Sequence, residues 1–114
     1  MRCISTHILD LVHGKPARDV LVRLEKKHKT GDWRLLNSAR TDQDGRCPQL
    51  LQETEDVSSA EYRLIFDTGG YYALQKVDAL YPRVEVTFQA RDGESHFHIP
   101  LLLSPNGYTT YRGS

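Results

Sequence analysis

The sequence contains few cysteines and no long apolar run. Its 114 residues include two cysteines, Cys3 and Cys47, which lack the close spacing of a metal-binding pair. Two isolated thiols predict a reducing compartment rather than a disulfide scaffold. The N-terminal segment lacks the apolar core of a secretion signal, and no stretch approaches the roughly 18 apolar residues of a membrane span. We therefore expect a cytoplasmic protein.

The chain also lacks an excess of either charge. Lysine and arginine together number 15, aspartate and glutamate together number 15, and the formal net charge is zero. A balanced chain has no electrostatic footprint for nucleic acid or for an anionic membrane. The length is typical of one domain with one hydrophobic core, so residues 1–114 are expected to form a single domain.

Short alternating segments separated by turn residues run through the sequence. Eight strands are predicted, at 4–10, 20–26, 33–41, 50–51, 61–68, 83–90, 96–103 and 108–112. The polar content of 33–41 predicts an edge strand, and 91–94 reads as a hairpin turn. A polar connection is expected at 52–59. This spacing of strands predicts an all-β, antiparallel sandwich.

One segment departs from the β pattern. Tyr72, Leu74, Val77 and Leu80 recur near a helical spacing, which predicts one short helix within 71–80. Gly69-Gly70 is expected to end the preceding strand, and Tyr81-Pro82 to end the helix.

The histidines are the first candidates for chemistry. His96 and His98 stand two apart on a predicted strand and therefore point to one face, and His7 lies on the first strand. Strand histidines are often merely solvent-facing or hydrogen-bonded, but imidazole is also suited to proton transfer near neutral pH. Three histidines could also hold zinc with an open position, and spacing alone does not separate the two interpretations. His13 and His28 fall in turns and are expected at the surface.

A polar loop and the chain end supply further candidates. Arg46 follows the loop Asp42-Gln43-Asp44-Gly45, which lacks the later acidic residues of a calcium loop. Residues 104–107 form a turn by composition, and a final strand leads directly into Tyr111-Arg112-Gly113-Ser114. An end of this kind predicts that the terminus is placed at a functional position rather than frayed.

Three segments carry a resemblance to a known family. The ending HFHIPLLLSPNGYTTYRGS at 96–114, the opening ISTHILD at 4–10 with GKPA at 14–17, and TDQDGR at 41–46 resemble the 5-hydroxyisourate hydrolases. These are the transthyretin-related enzymes of urate breakdown. The resemblance spans nearly the whole chain, and the C-terminal tetrapeptide is its most specific part.

The resemblance implies a fold, a reaction and a site. The fold would be the transthyretin sandwich of two four-stranded sheets and one short helix. The enzyme would open the ring of 5-hydroxyisourate to 2-oxo-4-hydroxy-4-carboxy-5-ureidoimidazoline without metal or cofactor. The implied catalytic residues are His7, Arg46, His98 and Ser114, and the implied substrate ligands are His7, Arg46, Tyr111, Arg112 and Gly113. Either His7 or His98 would activate water, and the role of His96 is open.

The resemblance further implies a homotetramer, a dimer of dimers, with sites at the interface between dimers. Two other functions remain as alternatives. A transthyretin-like carrier of a small aromatic hormone would have the same fold but an apolar and neutral channel. A zinc hydrolase would use His7, His96 and His98 as ligands.

Overall fold

Two β-sheets pack face to face in the computed structural model, which describes residues 3–51 and 59–114. The strands are β1 Cys3–Asp10, β2 Lys15–Pro16, β3 Leu21–Lys27, β4 Trp33–Arg40, β5 Arg46–Cys47, β6 Ala60–Phe66, β7 Val84–Ala90, β8 His96–Ser104 and β9 Gly107–Thr110. One helix, α1, spans Thr68–Ala73. The predicted all-β sandwich with one short helix is confirmed.

The first sheet has five strands, one more than the resemblance implies, and the second sheet has four. The first has the order β2-β1-β8-β9, with β5 pairing along the same edge of β1 as β2, and the second has the order β4-β3-β6-β7. The predicted edge position of β4 is therefore confirmed. Within the described residues, no helix is long and apolar enough to cross a membrane.

One strand pairing and one turn differ from the sequence-based expectation. β1 and β8 pair in parallel at the centre of the first sheet, whereas every other pairing of named strands is antiparallel. The turn at 91–94 does not close a hairpin, because β7 lies in the second sheet and β8 in the first. Side-chain alternation predicts which face of a strand is buried, but it does not identify the neighbouring strand.

The core lies between the sheets and follows the alternation of the strands. On β1, Ile4, Thr6, Ile8 and Asp10 are buried, and the residues between them are half-buried on the outer face. The largest fully buried side chains include Tyr62, Leu64 and Phe66 of β6, Tyr72 of α1 and Leu101 and Leu103 of β8. Burying a leucine or phenylalanine side chain contributes about 1.5–3 kcal/mol. The inner face therefore stabilises the sandwich and leaves the outer face of the first sheet available for function.

The helix begins earlier and is shorter than predicted. Gly69 and Gly70 lie inside it, because Asp67 caps its start by accepting a hydrogen bond from the Gly70 N–H at 3.1 Å. A Cβ on Gly69 would collide with the Pro82 carbonyl, and one on Gly70 with the Asp67 carboxylate. These glycines therefore permit close approach rather than break structure. Of the side chains that suggested the helix, only Tyr72 is buried, while Leu74, Val77 and Leu80 are exposed.

Other boundaries also shift. No strand forms at 50–51, although the Leu50 N–H donates to the Ile4 carbonyl at 2.8 Å, and β5 occupies this edge instead. The expected polar connection lies outside the described residues except for Ser59, which forms a bend. The predicted last strand ends at Thr110.

A buried carboxylate fastens α1 to the end of β1. The Asp10 side chain is fully buried and accepts hydrogen bonds from the Tyr71 hydroxyl at 2.6 Å and from His13 Nδ1 at 2.7 Å. Burial by itself would raise the pKa of Asp10, but these hydrogen bonds outweigh burial and lower it below 3.8. Burial and the Asp10 contact raise the pKa of Tyr71 to about 12. His13 is exposed, as expected, and its ring nitrogen also holds this carboxylate in place.

Tyr71→Phe should lower the free energy of unfolding by about 1.5–3 kcal/mol, the range for a hydrogen bond to a charged group. Because the pKa of Asp10 is lowered in the folded state, its stabilisation is present above its unfolded pKa and is lost as the pH falls through its folded pKa. The deficit of the variant, measured by urea denaturation, should shrink with acidification. Tyr81→Phe, at an exposed ring, is the control. Equal stability of Tyr71→Phe and wild type at neutral pH would contradict the assignment.

Candidate active site

Three strands bring His7, Arg46 and His98 onto one open sheet face. The antiparallel pairing of β1 with β5 sets His7 directly opposite Arg46. The parallel pairing of β1 with β8 sets Ser5 opposite His98 and His7 opposite Pro100. His7 and His98 are half-buried on the outer face, and Arg46 is exposed. Three predicted site residues from separate parts of the sequence therefore lie together because of the way their strands pair.

The loop before Arg46 is fixed at both ends. Asp42 N–H donates to the Arg46 carbonyl at 2.9 Å, and the Asp42 carboxylate accepts from the Arg46 N–H at 3.0 Å. The Ile8 N–H donates to the Gly45 carbonyl at 2.8 Å, which ties the loop to β1. The backbone of Arg46 is thus fixed, while its guanidinium has no hydrogen-bond partner within residues 3–51 and 59–114. A positioned and unpaired guanidinium can bind an anionic or carbonyl-rich ligand.

His98 is held and electrostatically tuned by its neighbours. Its Nδ1 lies 2.8 Å from Ser5 Oγ, within hydrogen-bonding distance. Burial, followed by the nearby positive charges of Arg46 and His7, lowers the pKa of His98 below its ordinary 6.5. The ring is therefore predominantly neutral at pH 7 and retains a basic lone pair.

The chain end crosses the same site. The Gly113 N–H donates to the His98 carbonyl at 2.7 Å and forms an isolated antiparallel bridge with it. A Cβ added to Gly113 would lie 2.5 Å from His98 Cδ2 and 3.2 Å from Pro100 Cγ. Only glycine permits this approach without displacement of the ring. Ser114 follows at once and is exposed.

Tyr111 and Arg112 are directed elsewhere within one chain. Arg112 Nη1 lies 3.2 Å from Glu94 Oε2, its Nη2 donates to the His96 carbonyl at 2.9 Å, and the guanidinium stacks over Phe97. The exposed Tyr111 lines a groove of about 270 Å³ with Phe97 and other side chains between β7 and β9. Their expected contacts with substrate stay predictions, because the structure does not bring these side chains to His7 and His98.

The zinc alternative gains no support from the arrangement of donors. In the described portions of the chain, no group of three His, Cys, Asp or Glu side chains could hold a metal ion. His96 begins β8 and is exposed, so it lies at the margin of the cluster. Cys47 is buried on the inner face, and burial followed by Asp42 raises the pKa of its thiol to about 11. That thiol is therefore not an activated nucleophile.

The larger cavities lie away from these residues. One of about 690 Å³ is lined by His13, Lys15, Arg18 and Tyr71, among others, and one of about 830 Å³ lies beside Lys27 and Gly31. Both are open surface grooves. Because the neutral imidazole, the unpaired guanidinium and the chain end meet on the outer face of the first sheet, we assign the site there rather than to the largest cavity.

Sequence reasoning missed Ser5. Hydroxyl residues are common on strands, so a serine in the first strand does not by itself indicate a functional role. The contact with His98 depends on the parallel register of β1 and β8. That register joins two segments from opposite ends of the chain, so no local signal reveals it.

The chain belongs to the HIUase/Transthyretin family, whose model matches residues 4–113. It is 47% identical over 111 residues to a 5-hydroxyisourate hydrolase of Salmonella dublin, covering 97% of this chain and 80% of that protein. It is 41% identical over 112 residues to the 5-hydroxyisourate hydrolase of Mus musculus, covering 97% of this chain and 94% of that protein.

Solved structures agree with this family assignment. The structure of Klebsiella pneumoniae 5-hydroxyisourate hydrolase superimposes with a TM-score of 0.86 at 33% identity and covers all of both chains. Sea bream transthyretin in complex with thyroxine superimposes with a TM-score of 0.90 at 33% identity, covering 96% of this chain and 93% of that one. The fold is therefore shared by hydrolases and by a protein that binds thyroxine.

The electrostatics of the site predict a specific titration. His98 should titrate below 6.5, and Arg46→Gln should move its pKa upward, because removing a cation favours the imidazolium. The rise should be partial, since burial is the larger cause. An NMR titration of the ring Cε1–H signals measures both values, with the exposed His28 as an internal reference. An unchanged His98 pKa in Arg46→Gln would show that the guanidinium does not face the ring.

Proposed function

We propose that this protein is a 5-hydroxyisourate hydrolase that acts in urate breakdown. The observation that carries this proposal is the convergence of His7, Arg46 and His98 on one sheet face, beside Gly113 of the chain end. The naming of several relatives, including those from Salmonella and mouse, as 5-hydroxyisourate hydrolases supports it. The product would be 2-oxo-4-hydroxy-4-carboxy-5-ureidoimidazoline.

In the proposed mechanism, His98 is the base. A neutral imidazole accepts a proton from water while the water oxygen attacks a ring carbonyl carbon. The lowered pKa of His98 keeps a larger fraction of its ring unprotonated at neutral pH, as a general base requires. The resulting imidazolium returns the proton to the ring nitrogen as the C–N bond breaks. In the overall reaction, one water molecule is added across one C–N bond of the ring.

Arg46 and His7 complete the proposed chemistry. The guanidinium of Arg46 is suited to stabilise the oxyanion of the tetrahedral intermediate and to bind the planar, carbonyl-rich ring. His7 lies opposite Arg46 in the strand register and would orient the substrate or the water. Ser114 would contribute from the chain end, where Gly113 passes against His98.

A homotetramer with sites between dimers is part of the proposal. The cluster lies on an open face, flanked by the half-buried Leu9 and Leu102, and β9 and β7 are edge strands of the first and second sheets. Exposed edges and apolar faces are commonly covered by association. A second copy would enclose the site and could bring Tyr111 or Arg112 to it.

A cytoplasmic location is also part of the proposal, and the two free thiols support it.

A hormone carrier is the main competing function, since the fold is shared with a transthyretin. A channel for an aromatic hormone should be lined by apolar and neutral groups. The face in question instead carries two imidazoles and an unpaired guanidinium. Charged and titratable groups of this kind favour catalysis over carriage.

Single substitutions in the cluster test the function. His7→Ala, Arg46→Ala and His98→Ala should each reduce hydrolysis by about 10²–10⁴-fold, the range for losing a positioned catalytic group. The measurement is the absorbance decay of freshly generated 5-hydroxyisourate with and without protein. Circular dichroism and oligomer size should be unchanged.

His28→Ala, an exposed turn histidine, is the matched control and should keep wild-type turnover. Near-wild-type turnover of His98→Ala would remove that residue from the mechanism. Activity that disappears on chelation and returns with zinc would favour the metal alternative instead.

A methyl group at Gly113 tests the contact of the chain end with His98. Gly113→Ala should reduce turnover on the order of 10- to 100-fold, since a small misplacement of a catalytic group is costly. Gly107→Ala is the matched control, because a Cβ there would meet nothing closer than Ser104 Oγ at 3.8 Å. Equal turnover of the two variants would show that the chain end does not pack on the ring in solution.

A further inference from the structure

The hydroxyl of Ser5 is a polar group at the site that the mechanism above does not use. Its Oγ lies 2.8 Å from His98 Nδ1, and the two residues face each other directly in the parallel register of β1 and β8. Both side chains lie half-buried on the outer face, which also carries His7 and Arg46. The contact is therefore built by two central strands rather than by mobile loops.

The hydrogen bond has a consequence for the chemistry of His98. A neutral imidazole carries its proton on one ring nitrogen and its basic lone pair on the other. The partner of one nitrogen thus decides what the other can do. With Nδ1 directed at Ser5, only Nε2 is available to water or substrate.

We propose that Ser5 is a positioning residue that accepts the Nδ1–H of His98 and so keeps the Nε2 lone pair directed at the attacking water. This inference rests on the proposed function, because it assigns Ser5 a role through the base of that reaction. A hydroxyl suits the role better than a carboxylate would. It holds the tautomer without adding a negative charge, which would raise the basicity of His98 and offset the effect of Arg46.

The neighbouring polar residues do not offer His98 another partner. Thr6 faces the core, where its hydroxyl donates to the Ile99 carbonyl at 2.6 Å. When Arg46 and His7 are charged, they disfavour protonation of the His98 ring. Within the described residues, Ser5 is the hydrogen-bond partner of the His98 ring.

Two measurements on the same variants test the role. In the ¹⁵N spectrum of the neutral ring, wild type should show His98 protonated at Nδ1, and Ser5→Ala should show a mixture of tautomers. Turnover of Ser5→Ala should fall about three- to tenfold with KM nearly unchanged, as expected for losing one hydrogen bond that orients a base. Ser5→Thr keeps the hydroxyl and should restore both the tautomer and most of the turnover.

Ser38→Ala removes an exposed serine from β4 in the other sheet and should match wild type in both measurements. Unfolding curves separate a structural defect from a positioning one, since Ser5→Ala should melt like wild type. An Nε2-protonated His98 in wild type, or an unchanged tautomer in Ser5→Ala, would overturn the proposal.

The two measurements also separate this inference from the proposed function. If wild type fails to hydrolyse 5-hydroxyisourate, the proposed function fails, while the ¹⁵N spectrum still shows whether Ser5 sets the tautomer. If wild type is active and Ser5→Ala is equally active with the Nδ1 tautomer intact, only the role of Ser5 is rejected.

Discussion

The parallel pairing of β1 with β8 is the constraint on which the site depends. It pairs Cys3–Asp10 with residues 96–103, two segments from near the two ends of the sequence. A shift of one residue in this register would turn His98 to the opposite face relative to Ser5 and His7. The same shift would expose Ile4 and Ile8, which are fully buried. The hydrophobic core therefore fixes the geometry of the polar face.

The buried residues on the inner face of the first sheet thus fix the positions of the polar residues on its outer face. Inner-face residues of β1 and β8 supply apolar contacts, and outer-face residues of the same strands supply the imidazoles. The short β5 adds Arg46 to this arrangement, and its loop is fastened to β1 by the Gly45 carbonyl. Burial of the ring, followed by the nearby positive charge of Arg46, lowers the pKa of His98 and so favours its neutral form. A shared sandwich can carry catalysis or ligand carriage according to these outer-face residues.

Much of the fold could be predicted because alternation and turn composition are local signals. The long strands β1, β3, β6, β7 and β8 lie close to their predicted positions, and the hairpin of β8 with β9 closes through Pro105-Asn106. The helix was misplaced because Gly69 and Gly70 act through close contacts with Pro82 and Asp67, which are packing effects. The parallel pairing and β5 were missed because both depend on partners distant in sequence.

Only part of the candidate site could be predicted from the sequence. His7, Arg46 and His98 could be singled out from residue type and resemblance, and the structure brings them together. Ser5 could not, since its significance comes from the hydroxyl standing opposite a ring on another strand. The resemblance implies that Arg112 is a substrate ligand, but its guanidinium contacts Glu94 and the His96 carbonyl within one chain. Strand faces are predictable, but the direction of a terminal side chain depends on its tertiary partners.

The central claim is that the polar cluster on the outer face of the first sheet binds the purine-derived ring. An NMR titration of the isotopically labelled protein with urate, a stable relative of the proposed substrate, tests it most directly. Saturable shifts are expected at His7, Arg46, His98 and Gly113, with His13 and Lys15, which line the cavity of about 690 Å³, unaffected. Shifts confined to His13, Lys15 and Arg18, with His98 unmoved, would contradict it.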